Sequence, residues 1–162
     1  MRRSAARLFT ATLMGFSLSA PAFAQSTDAG PVQAAATKFS SSVTWRESTV
    51  LISDFDCTGK VQFAILGGSA KEIAVAIFRD GLDQAPALLR FEVDAHDLQA
   101  AQLRLDNYTM SAEEIAGISG KAPAGYRPSG TCHGVRLSDH GIDAAHIYWD
   151  HDNRRFDTWT QQ

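Results

Sequence analysis

Apolar and polar residues alternate in short runs through most of the chain, and turn-forming residues separate the runs. Eight of these runs have the β-branched and apolar content that is typical of strands. They are residues 49–53, 61–66, 72–78, 88–93, 103–108, 132–137, 145–150 and 154–159. Beyond the N-terminal segment, no stretch of ten or more residues has a convincing helical period. The pattern predicts one all-β domain of seven or eight short antiparallel strands.

Turn residues refine this pattern. Gly67-Gly68-Ser69 and residues 150–153 each separate two strand-like runs, which predicts two hairpins. The second hairpin carries Trp149, Phe156 and Trp159, and cross-strand aromatic residues more often pack against each other or the core than bind a ligand. Short helical turns are predicted within 94–102, capped by Asp94 or Asp97, and from residue 111 to 115.

The N-terminal segment has a different pattern. Residues 1–24 have an arginine-containing start, an apolar stretch and a small-x-small end at Ala22-Phe23-Ala24, which predicts a secretory signal peptide. Residues 25–42 are rich in Ser, Thr, Ala, Gly and Pro and predict a flexible, disordered leader. The alternative is a short helix over residues 32–39. The β domain is then expected to span residues 43–162.

Charge narrows the choice of partner. The whole chain has 15 basic and 18 acidic residues and a formal net charge of −3. The expected signal peptide contains three of the arginines and no acidic residue, so the expected mature chain has a net charge of −6. No run of Lys and Arg is present in the expected mature chain, so neither nucleic acid nor an anionic membrane surface is an expected partner. The apolar stretch of the signal peptide is too short for a stable membrane span, and no membrane insertion is expected.

The chain has two cysteines, Cys57 and Cys132. Export to an oxidising compartment and the lack of any other thiol predict a disulfide between them. A redox or nucleophilic cysteine is the alternative, and His133 beside Cys132 is the only feature that favours it.

Oxygen-bearing side chains follow the spacing of a calcium loop after the first predicted strand. Asp54, Asp56, Thr58 and Gln62 stand at steps 1, 3, 5 and 9, with Gly59 at step 6. Two of the expected carboxylates are replaced by neutral groups, and Lys60 adds a positive charge. The spacing therefore indicates a weak calcium site or, alternatively, a tight polar turn that leads into a strand, and no other cofactor is predicted.

The same loop carries a family resemblance. Asp-Phe-Asp-x-x-Gly-Lys-x-x-Phe-Ala-Ile-Leu resembles the loop and strand of bacterial FG-GAP-like (VCBS-like) β-repeat proteins. Residues 130–137 and 146–151 are similar to the C-terminal part of small periplasmic proteins that share this loop. The resemblance implies a propeller-blade-like arrangement of strands. Some proteins of this general architecture are periplasmic immunity proteins that block peptidoglycan-cutting effectors.

Histidines and aspartates cluster in the last third of the chain. The cluster consists of His133, His140, His146 and His151, with Asp139, Asp143, Asp150 and Asp152. A transition-metal site or an acid–base pair is one interpretation, but the spacing matches no standard ligand motif, and separate histidines on loops are the alternative. On a strand, His146 and Tyr148 share one face and Ile147 and Trp149 the other.

These observations favour an exported periplasmic binding protein without enzymatic activity, of the inhibitor or immunity type, that acts on an envelope or secreted hydrolase. The residues expected to bind this periplasmic protein partner are Tyr148, Asp150, His151 and Asp152, because hairpin tips present polar and aromatic groups on a rigid base. The alternative is a metal-dependent envelope hydrolase, or a metal-binding protein, that uses the His- and Asp-rich last third. No nucleophile elbow, phosphate loop or dinucleotide motif is present.

Overall fold

The computed structural model describes residues 29–92, 97–139 and 143–161. The predicted signal peptide at residues 1–24, residues 25–28, the predicted cap residue Asp94 and His140 therefore lie outside the described residues. Within them the chain forms nine strands, three helices and one 3-10 turn at Glu47–Thr49. The strands are β1 Thr44–Trp45, β2 Leu51–Ser53, β3 Gln62–Gly68, β4 Glu72–Phe78, β5 Ala87–Glu92, β6 Gln102–Asn107, β7 His133–Asp139, β8 Asp143–Asp150 and β9 Arg155–Thr160, and the helices are α1 Gly30–Phe39, α2 Asp97–Ala100 and α3 Ala112–Ser119.

The strands form two antiparallel sheets, each built from strands that are close in sequence. Sheet A has the order β1-β3-β4-β5, with β2 also paired to β3, and sheet B has the order β6-β7-β8-β9. The all-β single domain is confirmed, and each of the eight predicted runs coincides with a strand. Strand β1 was missed because two residues are too few to show a period. The propeller-blade-like arrangement implied by the resemblance stays a prediction. In the described residues, the two antiparallel sheets share one apolar core.

The main core lies between the sheets. Strand β4 shows how the alternation works, because Ile73, Val75 and Ile77 point toward sheet B. Sheet B contributes apolar residues from β6, β7 and β8 to the same core, including Leu103 and Val135. Each of these side chains is buried, and burying one is worth about 1.5–3 kcal/mol relative to leaving it exposed. The stacked sheets are therefore held chiefly by apolar burial.

Helix α1 covers the opposite face of sheet A. Val32, Ala35 and Ala36 are spaced for one face of a helix and pack against the alternate residues of β3 and β4, which include Ile65 and Phe78. The prediction of a flexible leader is therefore wrong from residue 30 onward, and the short helix weighed against it is present. A helix of ten residues is marginal alone, but packing on an apolar sheet face stabilises it.

Close packing under α1 requires glycine at position 67. A Cβ there would lie 2.5 Å from Val43 Cγ1 and 2.7 Å from the Trp45 ring. The segment from residue 43 to 45 can therefore lie directly on β3, where the Trp45 indole N–H donates to the Ser40 carbonyl over 3.1 Å. Glycine was predicted here as a turn residue, but Gly67 and Gly68 belong to β3 and the turn follows them.

The two predicted helical turns are also present. Helix α2 occupies residues within the predicted 94–102 segment, and α3 begins after Ser111, which forms a capping box with Glu114. Helix α3 ends at Gly120, whose φ of 75° is the left-handed conformation that terminates many helices. None of the helices in the described part of the chain is long and apolar enough to cross a membrane.

A disulfide joins the two sheets, as predicted. Cys57, in the loop after β2, is bonded to Cys132, just before β7, with 5.2 Å between the Cα atoms. Two hydrogen bonds lie beside it: His133 N–H donates to the Asp54 carbonyl over 3.0 Å, and Ser53 Oγ lies 2.7 Å from His133 Nδ1. Such a bond is typical of proteins in an oxidising compartment, to which chains are exported.

We expect the bond to be a large part of the stability of the domain. It closes a loop with a sequence separation of 75 residues. Replacing both Cys57 and Cys132 by Ala should lower the free energy of unfolding by about 4 kcal/mol, because the unfolded chain regains the entropy of that loop. Urea denaturation measures the change, and wild-type protein in reductant is the control, since it should match the double variant. A loss below about 1 kcal/mol would contradict the expectation.

Candidate functional site

The loop expected to bind calcium is closed on itself by hydrogen bonds. The Asp54 carboxylate accepts from the backbone N–H groups of Thr58 (3.0 Å) and Gly59 (2.7 Å). Asp56 accepts from the Thr58 hydroxyl over 2.6 Å, and Gln62 Oε1 accepts from Phe55 N–H over 2.9 Å. Each of the four predicted ligands therefore has a protein partner. The calcium site stays a prediction, and a cation would have to displace these donors.

Arg79 supplies a charge to the same loop. Its Nε lies 2.9 Å from Asp56 Oδ2, and its guanidinium lies 4.7 Å from the centre of the Trp149 ring. Burial works to raise the pKa of the Asp56 carboxyl, but hydrogen bonding by Thr58 and the Arg79 charge outweigh it and hold that pKa below its usual value. Arg79 thus already provides one of the two positive charges that a calcium ion would bring.

The three described histidines of the last third do not form a cluster. His133 contacts Ser53, His146 contacts Asp106, and His151 lies at the β8–β9 turn, where burial and then Arg127 lower its pKa. Within residues 29–92, 97–139 and 143–161, no three or more His, Cys, Asp or Glu side chains are grouped so that they could hold a metal ion. The metal-binding alternative therefore has no such cluster in this part of the chain.

The β8–β9 turn differs from the exposed tip that was expected to bind a partner. Tyr148 is only 2% exposed and Asp150 is fully buried. The Asp150 carboxylate accepts from the backbone N–H groups of Asp152 and Asn153, and the Asn153 side chain, followed by these backbone bonds, lowers its pKa. The expectation that Tyr148 and Asp150 are exposed is wrong, because they support the turn from inside. The partly exposed His151 and the exposed Asp152 remain available for contact.

The outer face of sheet B carries a row of basic and aromatic residues that crosses all four strands. Arg104 on β6 lies opposite Arg136 on β7, Arg136 lies opposite His146 on β8, and His146 lies opposite Trp159 on β9. We call these four residues the cross-strand row. Both arginines are exposed. The expected shared face of His146 and Tyr148 is confirmed, since Ile147 faces the core between the sheets.

His146 is held from two sides within this row. Its Nδ1 lies 2.6 Å from Asp106 Oδ2, and its ring stacks on Trp159 with 3.9 Å between ring centres and 5° between the planes. Most of both the His146 and Asp106 side chains is buried. The arrangement fixes the imidazole orientation, so His146 can act as an oriented donor or acceptor at its other ring nitrogen.

A cleft of about 310 Å³ adjoins the row at Trp159. It lies between the segment that follows α3 and strands β8 and β9. Trp159 and Tyr148 provide aromatic surface, and Lys121 and Asp157 provide one charge of each sign. The row and the cleft meet at Trp159, and together they are the candidate binding site.

Sequence reasoning missed Arg104, Asp106 and Arg136. The alternation along β6 places Arg104 and Asp106 on one face, which was readable from the sequence. Their position beside His146 follows only from the pairing of β6, β7 and β8, in which residues 104, 136 and 146 are in register. Trp159 was expected to pack within the hairpin, and it does so, against His146 rather than in the core.

Comparison of the chain with protein-family models, with curated proteins and with solved structures finds no match. The resemblance to FG-GAP-like proteins therefore rests on the residues of the Asp54 loop and the C-terminal strands alone, and it stays a prediction.

Three tyrosines form a packed cluster at one end of sheet B. Tyr126 makes edge-to-face contacts with Tyr108 (5.4 Å between ring centres) and Tyr148 (5.7 Å). The Tyr126 and Tyr148 hydroxyls donate to backbone carbonyls, and the Tyr108 hydroxyl accepts from Trp149 N–H. Burial raises the pKa of Tyr126 and of Tyr148 to about 12 and raises the pKa of Tyr108 as well.

This cluster predicts a loss of stability at high pH. In the unfolded chain these phenols ionise near their reference pKa of about 10, whereas the folded protein keeps them neutral to a higher pH. Their contribution to the free energy of unfolding is therefore complete below about pH 10, and it is lost as the pH rises toward about 12. The chain has three tyrosines in all. Near-ultraviolet absorbance should therefore show no phenolate in the native protein at about pH 10, whereas the urea-unfolded chain should be half ionised. A native titration that follows the unfolded one would contradict the prediction.

Proposed function

We propose that this protein is an exported, non-enzymatic binding protein that inhibits a glycan-cleaving envelope or secreted hydrolase by placing its cross-strand row against the acidic cleft of that enzyme. The observation that carries the proposal is the direct opposition of Arg104 and Arg136. Like charges directly opposite each other destabilise a sheet. An acidic partner surface would remove this repulsion on binding.

The charges around the two arginines support an acidic partner. Among the described residues, the Arg104 guanidinium donates to Gln102, a neutral side chain, and Arg136 makes no ion pair. The Asp106 carboxylate in the neighbouring position is bound to His146 instead. Because the whole chain has a formal net charge of −3, this row is a local basic strip on an otherwise acidic protein.

The row also has the residue types that dominate protein–protein interfaces. Arginine and tryptophan are enriched among the residues that contribute most to binding. The row lies on four paired strands, so its backbone is fixed before binding, and His146 and Trp159 are held against each other. Binding therefore has to order only the two exposed arginine side chains.

Glycan-cleaving hydrolases suit this surface because most of them cleave with a pair of carboxylates in a cleft. The signal peptide expected at residues 1–24 and the Cys57–Cys132 bond support export to the periplasm. The resemblance to periplasmic immunity proteins supports the inhibitor role.

Affinity capture tests the proposal. Tagged protein starting at Gln25 should retain an acidic-cleft hydrolase from envelope or secreted extracts and reduce its activity. The Arg136→Glu variant should weaken capture at least about tenfold, because it places a like charge against the enzyme carboxylates. The variant should still fold, since the new carboxylate can pair with Arg104.

Lys71→Glu is the matched control, because Lys71 is exposed in the β3–β4 turn of the other sheet and the charge change is the same. Its capture should equal that of the wild type. Capture that is unaffected by Arg136→Glu, or equally weakened by both variants, would refute the proposed surface.

The Asp106–His146 pair favours a second candidate function, a hydrolase in which His146 is the general base. An imidazole oriented by a carboxylate at 2.6 Å is a common catalytic arrangement. Wild-type protein would then hydrolyse a glycan, ester or phosphoester, and both His146→Gln and Asp106→Asn should lower the rate at least about a hundredfold. We expect no turnover by the wild type, and turnover that both variants abolish would reverse the ranking.

A further inference from the structure

A second cleft opens at the edge of the sandwich, between the start of β5 in sheet A and the start of β9 in sheet B. Its volume is about 270 Å³. Three arginines line it, Arg79, Arg154 and Arg155, with Asp80 as the one acidic residue of the lining. The remaining wall is mainly apolar and includes Leu88, a large aliphatic side chain that is 37% exposed. The cleft therefore combines a cationic side with an apolar side.

Arg79 is held in place at the inner end of this cleft. Its Nε is paired with Asp56 Oδ2 at 2.9 Å, and its guanidinium packs over the Trp149 ring, which also lines the cleft. Asp80 lies 3.7 Å from Nη2. These contacts fix the plane of the guanidinium, so a ligand that binds to it loses little of the side chain's freedom.

Arg154 adds a cation that is not neutralised by the protein. Arg155 pairs with Asp157 at 3.3 Å, whereas Arg154 makes no ion pair within the described residues. The backbone of Arg154 has a φ of 53°, in the left-handed region where glycine or asparagine would be unstrained. This conformation is common at the end of a hairpin turn, and here it places Arg154 in the lining of a cleft that already contains a fixed guanidinium. A cation without an ion pair beside a second, fixed cation suits the binding of an anion.

We propose that this cleft binds a small organic carboxylate with an apolar body. The planar carboxylate fits the fork of an arginine guanidinium, and charge-assisted hydrogen bonds of this kind are stronger than neutral ones. The apolar body lies against Leu88, Leu89 and Phe156. The volume of the cleft suits a compact ligand of about ten non-hydrogen atoms. The site shares no residue with the cross-strand row, so it stands apart from the proposed inhibition.

Benzoate is the probe, titrated into the protein that starts at Gln25 and followed by calorimetry and by the NMR signal of the Trp149 indole N–H. We expect saturable binding with a Kd of about 1 mM or below. Inorganic phosphate, which has charge but no apolar body, should bind at least about tenfold more weakly. The Arg154→Gly variant should weaken benzoate binding at least about tenfold without lowering the melting temperature, because glycine relieves the left-handed strain.

Arg127→Gln is the matched control. Arg127 is exposed, pairs with Asp152 of the same hairpin turn and lies outside the cleft lining, so this variant removes the same charge without changing the site. It should bind benzoate as the wild type does. Equal weakening in both variants, equal affinity for phosphate and benzoate, or no saturable binding of benzoate would each overturn the proposal. Benzoate binding that leaves the Trp149 signal unchanged would also overturn it.

Discussion

Sheet A is apolar on both of its faces, and the burial of both is the constraint on which the rest of the structure depends. Strands β3 and β4 alternate between residues that face sheet B and residues that face α1, so neither face can be left in water. Sheet B covers one side, and α1 with the segment that contains Trp45 covers the other. A segment whose composition is typical of a flexible leader therefore becomes part of the core.

Sheet B is covered on its inner face by sheet A, but only one end of its outer face is covered, by the segment that contains Tyr126. Polar groups can therefore be placed on the rest of the outer face. Its inner residues complete the core, whereas its outer face has Arg104, Arg136, His146 and Trp159 in one row and the tyrosine cluster at one end. Polar and charged side chains on that face keep their contact with water. A solvated face of a paired sheet is a suitable base for binding, because the backbone that carries its side chains is fixed before a partner arrives.

The contacts that join the two sheets are polar and covalent as well as apolar. Three contacts connect a loop or a strand end of sheet A with a strand of sheet B or its start. They are the Cys57–Cys132 bond, the Ser53–His133 hydrogen bond and the packing of Arg79 on Trp149. Arg79 also satisfies the buried Asp56 carboxylate, which would otherwise be a costly charge. The same guanidinium lines the second cleft, so stability and the proposed carboxylate binding depend on one side chain.

The sequence alone determined the class of fold, the eight longer strands, a short helix that starts near Ser111 and the disulfide. These follow from local alternation, turn residues and the pairing of the only two cysteines, all of which can be read without knowing which strands are neighbours. Tertiary structure decided the rest. Helix α1 forms because an apolar sheet face lies beside it. Asp150 is buried because its carboxylate accepts the hydrogen bonds that hold the turn. Arg104, Arg136 and His146 lie side by side because three strands pair in one register. Register is a property of the paired sheet, so no single strand contains it.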